Sequence, residues 1–175
     1  MAEGLSPAYR INGSTNPTDW GTMPTSNHNA TWDAVQIVAG STGYRLPTEA
    51  QWEYAAKGGN GSPGNFTYAG SNTVGDVAWY WDNSGSRTHE VGKKAPNGLG
   101  LYDMSGNVWE WCWDWYGHYT SGAKTDPMGA SSGSYRVSRG GGWSNSLATY
   151  VRSANRDFVW PLSRQDVSGF RVSRP

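Results

Sequence analysis

Cysteine is almost missing from this chain: Cys112 stands alone in 175 residues. An intrachain disulfide is excluded. Charge of one sign is missing too, since 14 basic residues balance 14 acidic ones. That removes the electrostatic footprint of a nucleic-acid partner and any basic patch for an anionic membrane. No apolar run approaches the ~20 residues of a membrane helix, so no direct membrane insertion is expected. The opening MAEGLSPAYR has no basic-then-apolar signal segment. Aliphatic residues are scarce: Leu, Ile, Val and Phe number 22 of 175, below the roughly 20% at which disorder is suspected. Disorder also requires high net charge and few aromatics, and here there are 11 Trp and 10 Tyr. Each buried aromatic removes about 150–250 Å² from water. The composition therefore describes a globular chain with an aromatic core and, with 24 Gly, many turns. Its length fits a single domain, residues 1–175.

The first thirty residues are polar and read as an irregular surface segment. TWDAVQIVA, Thr31 to Ala39, reads as a short helix with Trp32 and Val35 on one face. In GYRLPTEAQWEYAAKGG, Thr48 and Gln51 have capping-box spacing. Trp52, Ala55 and Ala56 then form a buried stripe, and Gly58 and Gly59 end the helix. Beyond residue 60, THEVGK, GLYDM, YRVSR and GFRVSR read as short strands. VWEWCWDW has period two: Trp109, Trp111, Trp113 and Trp115 share one face, and Glu110, Cys112 and Asp114 the other. Core packing is the first account of those tryptophans, ahead of a stacked-sugar platform. One or two helices followed by many short strands give an α+β class with a small antiparallel core.

GYRLPTEAQWEYAAKGG, PNGLGLYDMSGNVWEW, YRVSRGGGW, RSANR and the closing GFRV together resemble the formylglycine-generating-enzyme (sulfatase-modifying factor) family. The resemblance implies a C-type-lectin-like fold with short antiparallel strands and many loops. The first half of that family's pattern is shortened or missing. Enzymes of the family oxidise a target cysteine with a cysteine pair. Laid on RGGGWSNSLATYVRS, the pair falls at Asn145 and Tyr150, and Cys112 lies in the wrong motif. Without thiolates there is no copper pair and no redox nucleophile. His28, His89 and His118 lack ligand spacing for an iron site. No catalytic residue and no cofactor are expected, and the chain reads as a non-enzyme. One structural calcium site is implied by resemblance. Asp103 and Glu110 would give side-chain oxygens, and Gly106 and Val108 carbonyls. The plainer alternative has Asp103 capping a turn and Glu110 bonding backbone amides.

The C-terminal part is also similar to the variable region of diversity-generating retroelement proteins of the Treponema type, which use this fold. Its frame reads Arg139, Gly140, Gly141, Trp143, then Arg152 to Arg156, Pro161, Arg164 and Gly169 to Arg171. Residues 136–172 are the expected variable region. The expected ligand-binding positions are Ser144, Ser146, Leu147, Thr149, Tyr150, Asp157, Phe158, Val159, Trp160, Leu162, Ser163, Gln165, Asp166 and Ser168. Most of these types are reachable from Asn codons by adenine mutation; Trp160 and Gln165 are not. A fixed set of Arg and Gly residues can tie loops to a core through charge-assisted hydrogen bonds, leaving aromatics such as Phe158 and Trp160 as binding anchors. If instead Phe158, Val159 and Trp160 are core, they will be buried. The resemblance implies a monomeric ligand-binding display protein at the cell surface or outside the cell, with a protein ligand ahead of a glycan. The alternatives are an oxidase relative of the formylglycine-generating type and a glycan-binding domain.

Overall fold

The computed structural model describes residues 3–61 and 64–174. The front of the chain is more ordered than its composition suggests. Tyr9–Arg10 (β1) is followed by a 3-10 turn, Pro17–Trp20, capped by Asn16. Ala30–Asp33 (α1) is capped by Asn29, whose Oδ1 accepts from the N–H groups of Thr31 and Trp32. The helix expected over residues 31–39 ends there. Val35, Ile37 and Val38 are β-branched and stiff in a helix, and Gln36–Ile37 (β2) pairs antiparallel with β1 instead.

Helix Glu49–Ala56 (α2) forms where its cap places it. Gln51 N–H donates to Thr48 Oγ1 at 3.2 Å, and Thr48 N–H donates back to Gln51 Oε1 at 3.0 Å. Val74–Val77 (α3), Ala78–Trp79 (β3), Trp81–Ser84 (α4) and Ser105–Gly106 (β4) follow. The expected strands THEVGK and GLYDM are loops. Their backbone amides are satisfied by side chains rather than by a neighbouring strand. Asn97 Oδ1 accepts from Leu99 and Leu101, Asn107 Oδ1 from His89, and Asp103 Oδ2 from Gly92. Such local bonds compete with sheet ladders. β4 runs parallel to β3, and Gly106 is required there. Its φ is +77°, and a Cβ would overlap the Trp79 carbonyl.

The main sheet uses Trp109–Trp115 (β5), Arg136–Arg139 (β6), Arg156–Val159 (β7) and Ser168–Gly169 (β8). Its order is β7-β6-β5-β8, with β7 on one edge. The β5–β8 pairing is parallel, so the core sheet is mixed and not purely antiparallel. Of GFRVSR only Gly169 joins a strand, with an isolated bridge from Ser173 to Arg45.

The two faces of β5 differ from the simple core account of its tryptophans. Glu110, Cys112 and Asp114 are the buried face, packed on α2. Trp52 Nε1 donates to Glu110 Oε2 at 2.6 Å, and Glu49 N–H donates to Asp114 Oδ2 at 2.6 Å. On the other face Trp109 and Trp115 are nearly buried, while Trp111 and Trp113 are half-buried. Tyr9 stacks on Trp113 at 5.5 Å, and the Arg136 guanidinium sits 3.6 Å above Trp115. The central apolar cluster is Trp52, Ala56, Ala69, Met104, Cys112 and Val137. A small Cys and a polar pair can occupy the inner face because Trp52 fills the volume and every carboxylate there is bonded.

Candidate recognition site

Three arginines hold the C-terminal loops to the core. Arg139, on β6, is wholly buried. Its Nη2 reaches Glu53 Oε2 at 2.5 Å and the Ser153 carbonyl at 3.1 Å, and its Nη1 donates to the carbonyls of Ala154 and Asn155. Arg156, on β7, grips Glu49 with both arms, at 2.8 and 2.6 Å, and donates to the Gly117 carbonyl. Arg171 grips Glu110 in the same way, at 2.6 Å each, and donates to the Tyr102 carbonyl. Helix α2 and strand β5 thus supply a glutamate for each arginine. Such bidentate pairs fix geometry as well as charge. Gly141 completes the frame: its φ is +73°, and a Cβ would lie 2.7 Å from Val151 Cγ1. Two expected frame members behave otherwise. Arg152 and Arg164 are exposed; the Arg152 side chain donates to the Thr149 carbonyl, and Arg164 turns to Met23 Sδ at 3.7 Å.

Between these fixed points the aromatics face outward. Phe158 is 49% exposed and Trp160 39%. They are not core. They form an aromatic ridge with residues from outside residues 136–172. Phe158 lies 5.1 Å from Tyr116 and 4.7 Å from Tyr135, Trp160 lies 4.2 Å from Tyr135, and His28 meets Trp160 edge-on at 5.8 Å. Beside the ridge is an open notch of about 210 Å³, lined by Asp157, Phe158, Val159, Trp160, Ser163, Gln165 and Ser168 of the expected set, together with Trp109, Tyr135, Ser138 and Val167. On the outer strand β7, the Phe158 N–H donates to the Asp157 carboxylate at 2.8 Å.

The other expected positions stand apart from the notch. Ser144 and Ser146 lie before the 3-10 turn Ala148–Val151, and Leu147, Thr149 and Tyr150 lie on or beside it. Leu147 and Tyr150 are exposed. A long contact links the two groups: Trp143 Nε1 to the Asp166 carbonyl, 3.5 Å. Leu162 is half-buried, its N–H donating to Asn27 Oδ1 at 3.3 Å. Tyr135 and His28 were not legible as site residues. Nothing in their local sequence marks them, and only the fold brings them to Trp160.

The residues that could carry chemistry are differently placed. Asn145 Oδ1 accepts from the Gly142 N–H, and its carbonyl accepts from Trp81. Cys112 is fully buried, and burial pushes its thiol well above the ordinary value, which makes it a poor nucleophile. His89 stacks on Trp79 at 3.8 Å and bonds the Ser84 carbonyl, while His118 is exposed. Among the described residues no three His, Cys, Asp or Glu side chains could hold a metal together. Gly129-Ala130-Ser131-Ser132-Gly133 has nucleophile-elbow spacing, but it lies in an exposed bend and not at a strand-to-helix turn.

In the expected calcium set, Glu110 faces Arg171. Both Glu110 oxygens are engaged by that guanidinium, one of them also by Trp52, so a cation already faces this carboxylate. Asp103 caps the Gly92 amide and keeps Oδ1 buried without a partner. Gly106 and Val108 lie on and just after β4. Glu110 is thus engaged by a guanidinium, while the buried Asp103 Oδ1 has no partner among the described residues. A larger recess, about 820 Å³, opens between α2 and the 117–130 loop, with Tyr54, Lys57, Trp115 and Tyr119 among its walls. Asp114 lies on its floor; burial raises its carboxyl to about 6.

The fold has close counterparts. Treponema denticola variable protein 1 is 43% identical with a TM-score of 0.85, covering 99% of this chain and 64% of that one. The chaperone protein LppX of Paenibacillus barcinonensis is 43% identical over 85% of this chain and 54% of its own length. The formylglycine-generating enzyme of Streptomyces coelicolor is 34% identical over 83% of this chain and 51% of its own. The chain thus spans about half the length of these two curated relatives. Residues 13–175 match the sulfatase-modifying factor enzyme 1-like domain, and with the fold of a variable protein built on that domain, the chain belongs to the sulfatase-modifying factor (formylglycine-generating enzyme-like) family.

Proposed function

We propose that this chain is a non-catalytic display protein whose C-terminal region, residues 136–172, presents a changeable recognition surface to a protein ligand outside the cell. One observation carries the reading: Phe158 and Trp160 stand exposed on a segment whose neighbouring arginines, Arg139 and Arg156, are tied into the core. Function on loops over a rigid scaffold is a common division of labour. The likeness to a variable protein supports it. Asn145 and Tyr150 in place of a cysteine pair, with Cys112 buried, support recognition without turnover.

Replacing Phe158, Trp160 and Leu162 together with Ser tests the division. Cooperative thermal unfolding is expected to persist; its loss would make the three residues core and end the reading. A second arm is genomic. A near-copy of the codons for 136–172, with Asn where this chain has Ser, Asp, Phe or Val, should lie near a reverse transcriptase gene. Absence of both leaves a binding member of the family without diversification. Copper-dependent oxygen consumption with a cysteine peptide would move the chain to the oxidase class; none is expected.

A further inference from the structure

Resting on that reading, the notch beside the ridge defines what this particular surface takes. Its walls include four aromatic side chains, Trp109, Tyr135, Phe158 and Trp160. Asp157 is the one charged residue lining it, and no ion pair engages that carboxylate among the described residues. The cations of the neighbourhood are directed elsewhere: Arg136 lies over Trp115 and donates to the Trp113 carbonyl, and Arg164 turns to Met23. Ser138, Ser163, Gln165 and Ser168 add neutral hydrogen-bonding groups. Aromatic faces carry negative potential and attract ammonium and guanidinium groups. A carboxylate among them adds charge complementarity, which favours one sign of partner and rejects the other. The volume, about 210 Å³, suits one side-chain head and not a whole drug-sized ligand, whose pockets run from roughly 300 Å³ upward.

We infer that the notch between Asp157 and the Trp160–Tyr135 aromatics receives a basic side chain, Lys or Arg, presented by the protein ligand. Trp109 and Tyr135 lie outside residues 136–172, whereas Asp157, Phe158 and Trp160 are among the expected ligand-binding positions. The floor is therefore fixed, and the cation preference belongs to this copy of the surface. Another residue at 157 would give the same floor a different preference. Strand addition at β7 is a poorer mode of binding, because the Phe158 amide is already occupied by Asp157.

The probes are N-acetyl-arginine amide and N-acetyl-lysine amide, with N-acetyl-norleucine amide as the neutral match and N-acetyl-glutamate amide as the opposite charge. Each is titrated into the full chain while the indole N–H signals of Trp109 and Trp160 are followed by NMR. Saturable shifts are expected with the two cationic probes only. Asp157→Asn should weaken them by roughly 1.5-fold to fivefold, in line with a partly exposed charge pair, while leaving the fold and the Phe158 amide bond intact. Equal shifts with norleucine amide would overturn the cation preference and leave the display reading standing. No shift with any probe would overturn the notch as a subsite. The display reading itself fails separately, through the unfolding of the serine variant.

Discussion

Arg139 and Trp160 belong to the same C-terminal half of the chain and live in opposite conditions. Arg139 has no exposure, a glutamate partner and three backbone carbonyls to hold. Trp160 has two-fifths of its surface in water, and its ring meets those of His28 and Tyr135. Composition reverses the usual arrangement here: a charged residue is core and an apolar one is surface. The difference teaches where each kind of energy is used. The arginine's bonds fix the loop path, so they must be buried; both Nη atoms are engaged, and only Nε lacks a partner among the described residues. On the proposed display function, the tryptophan's apolar area is left for a partner, so it must not be buried in advance.

Breaking the frame should have the largest effect. Arg139→Met leaves Glu53 Oε2 and the carbonyls of residues 153–155 without the arginine's N–H groups, while Lys57 stays on Glu53 Oε1. A loss of about 3–5 kcal/mol is expected, read as a lower denaturation midpoint at unchanged slope. Arg171→Gln should cost less, about 2–4 kcal/mol, because Arg171 is a quarter exposed while the Glu110 it leaves is buried. Asp114 sharpens the comparison from the acid side. Its folded carboxyl titrates near 6 against an ordinary 3.8, burial being the main cause. The folded state therefore takes up a proton between about pH 6 and 4 that the unfolded state does not. Relative to Asp114→Asn, which keeps an acceptor for the Glu49 amide, the native protein should gain roughly 2–3 kcal/mol as pH falls from 7 to 4, and nothing further below that. Denaturant titrations of both proteins at several pH values measure it. At the display end, Phe158→Ser or Trp160→Ser should each change stability by no more than about 1 kcal/mol, read by calorimetry.

Much of this contrast was legible in the chain. The Thr48–Gln51 box placed α2, and the period-two tryptophans placed β5. The R-S-A-N-R and G-F-R segments marked Arg156 and Arg171 as fixed. What escaped was pairwise and distant. No local pattern links Arg156 to Glu49 or Arg171 to Glu110, and none brings His28 or Tyr135 to Trp160. The THEVGK and GLYDM loops misled because Asn97, Asn107 and Asp103 bond amides that a strand would otherwise pair. The inner face of β5 misled for a related reason. Glu110 and Asp114 share the face opposite the tryptophans, and only the fold places Arg171, Trp52 and the Glu49 amide against them.

One small bond has a wider consequence. β7 is an outer strand carrying Phe158 and leading to Trp160, the kind of apolar border on which copies of a chain stack into aggregates. The Asp157 carboxylate covers the Phe158 amide and sets a negative charge on that border. On the proposed display function it would act as a gatekeeper, letting sticky residues be shown to a partner without inviting self-association. A surface whose residues change from copy to copy faces that hazard afresh each time, so colloidal behaviour, and not folding, would limit which residues position 157 can accept.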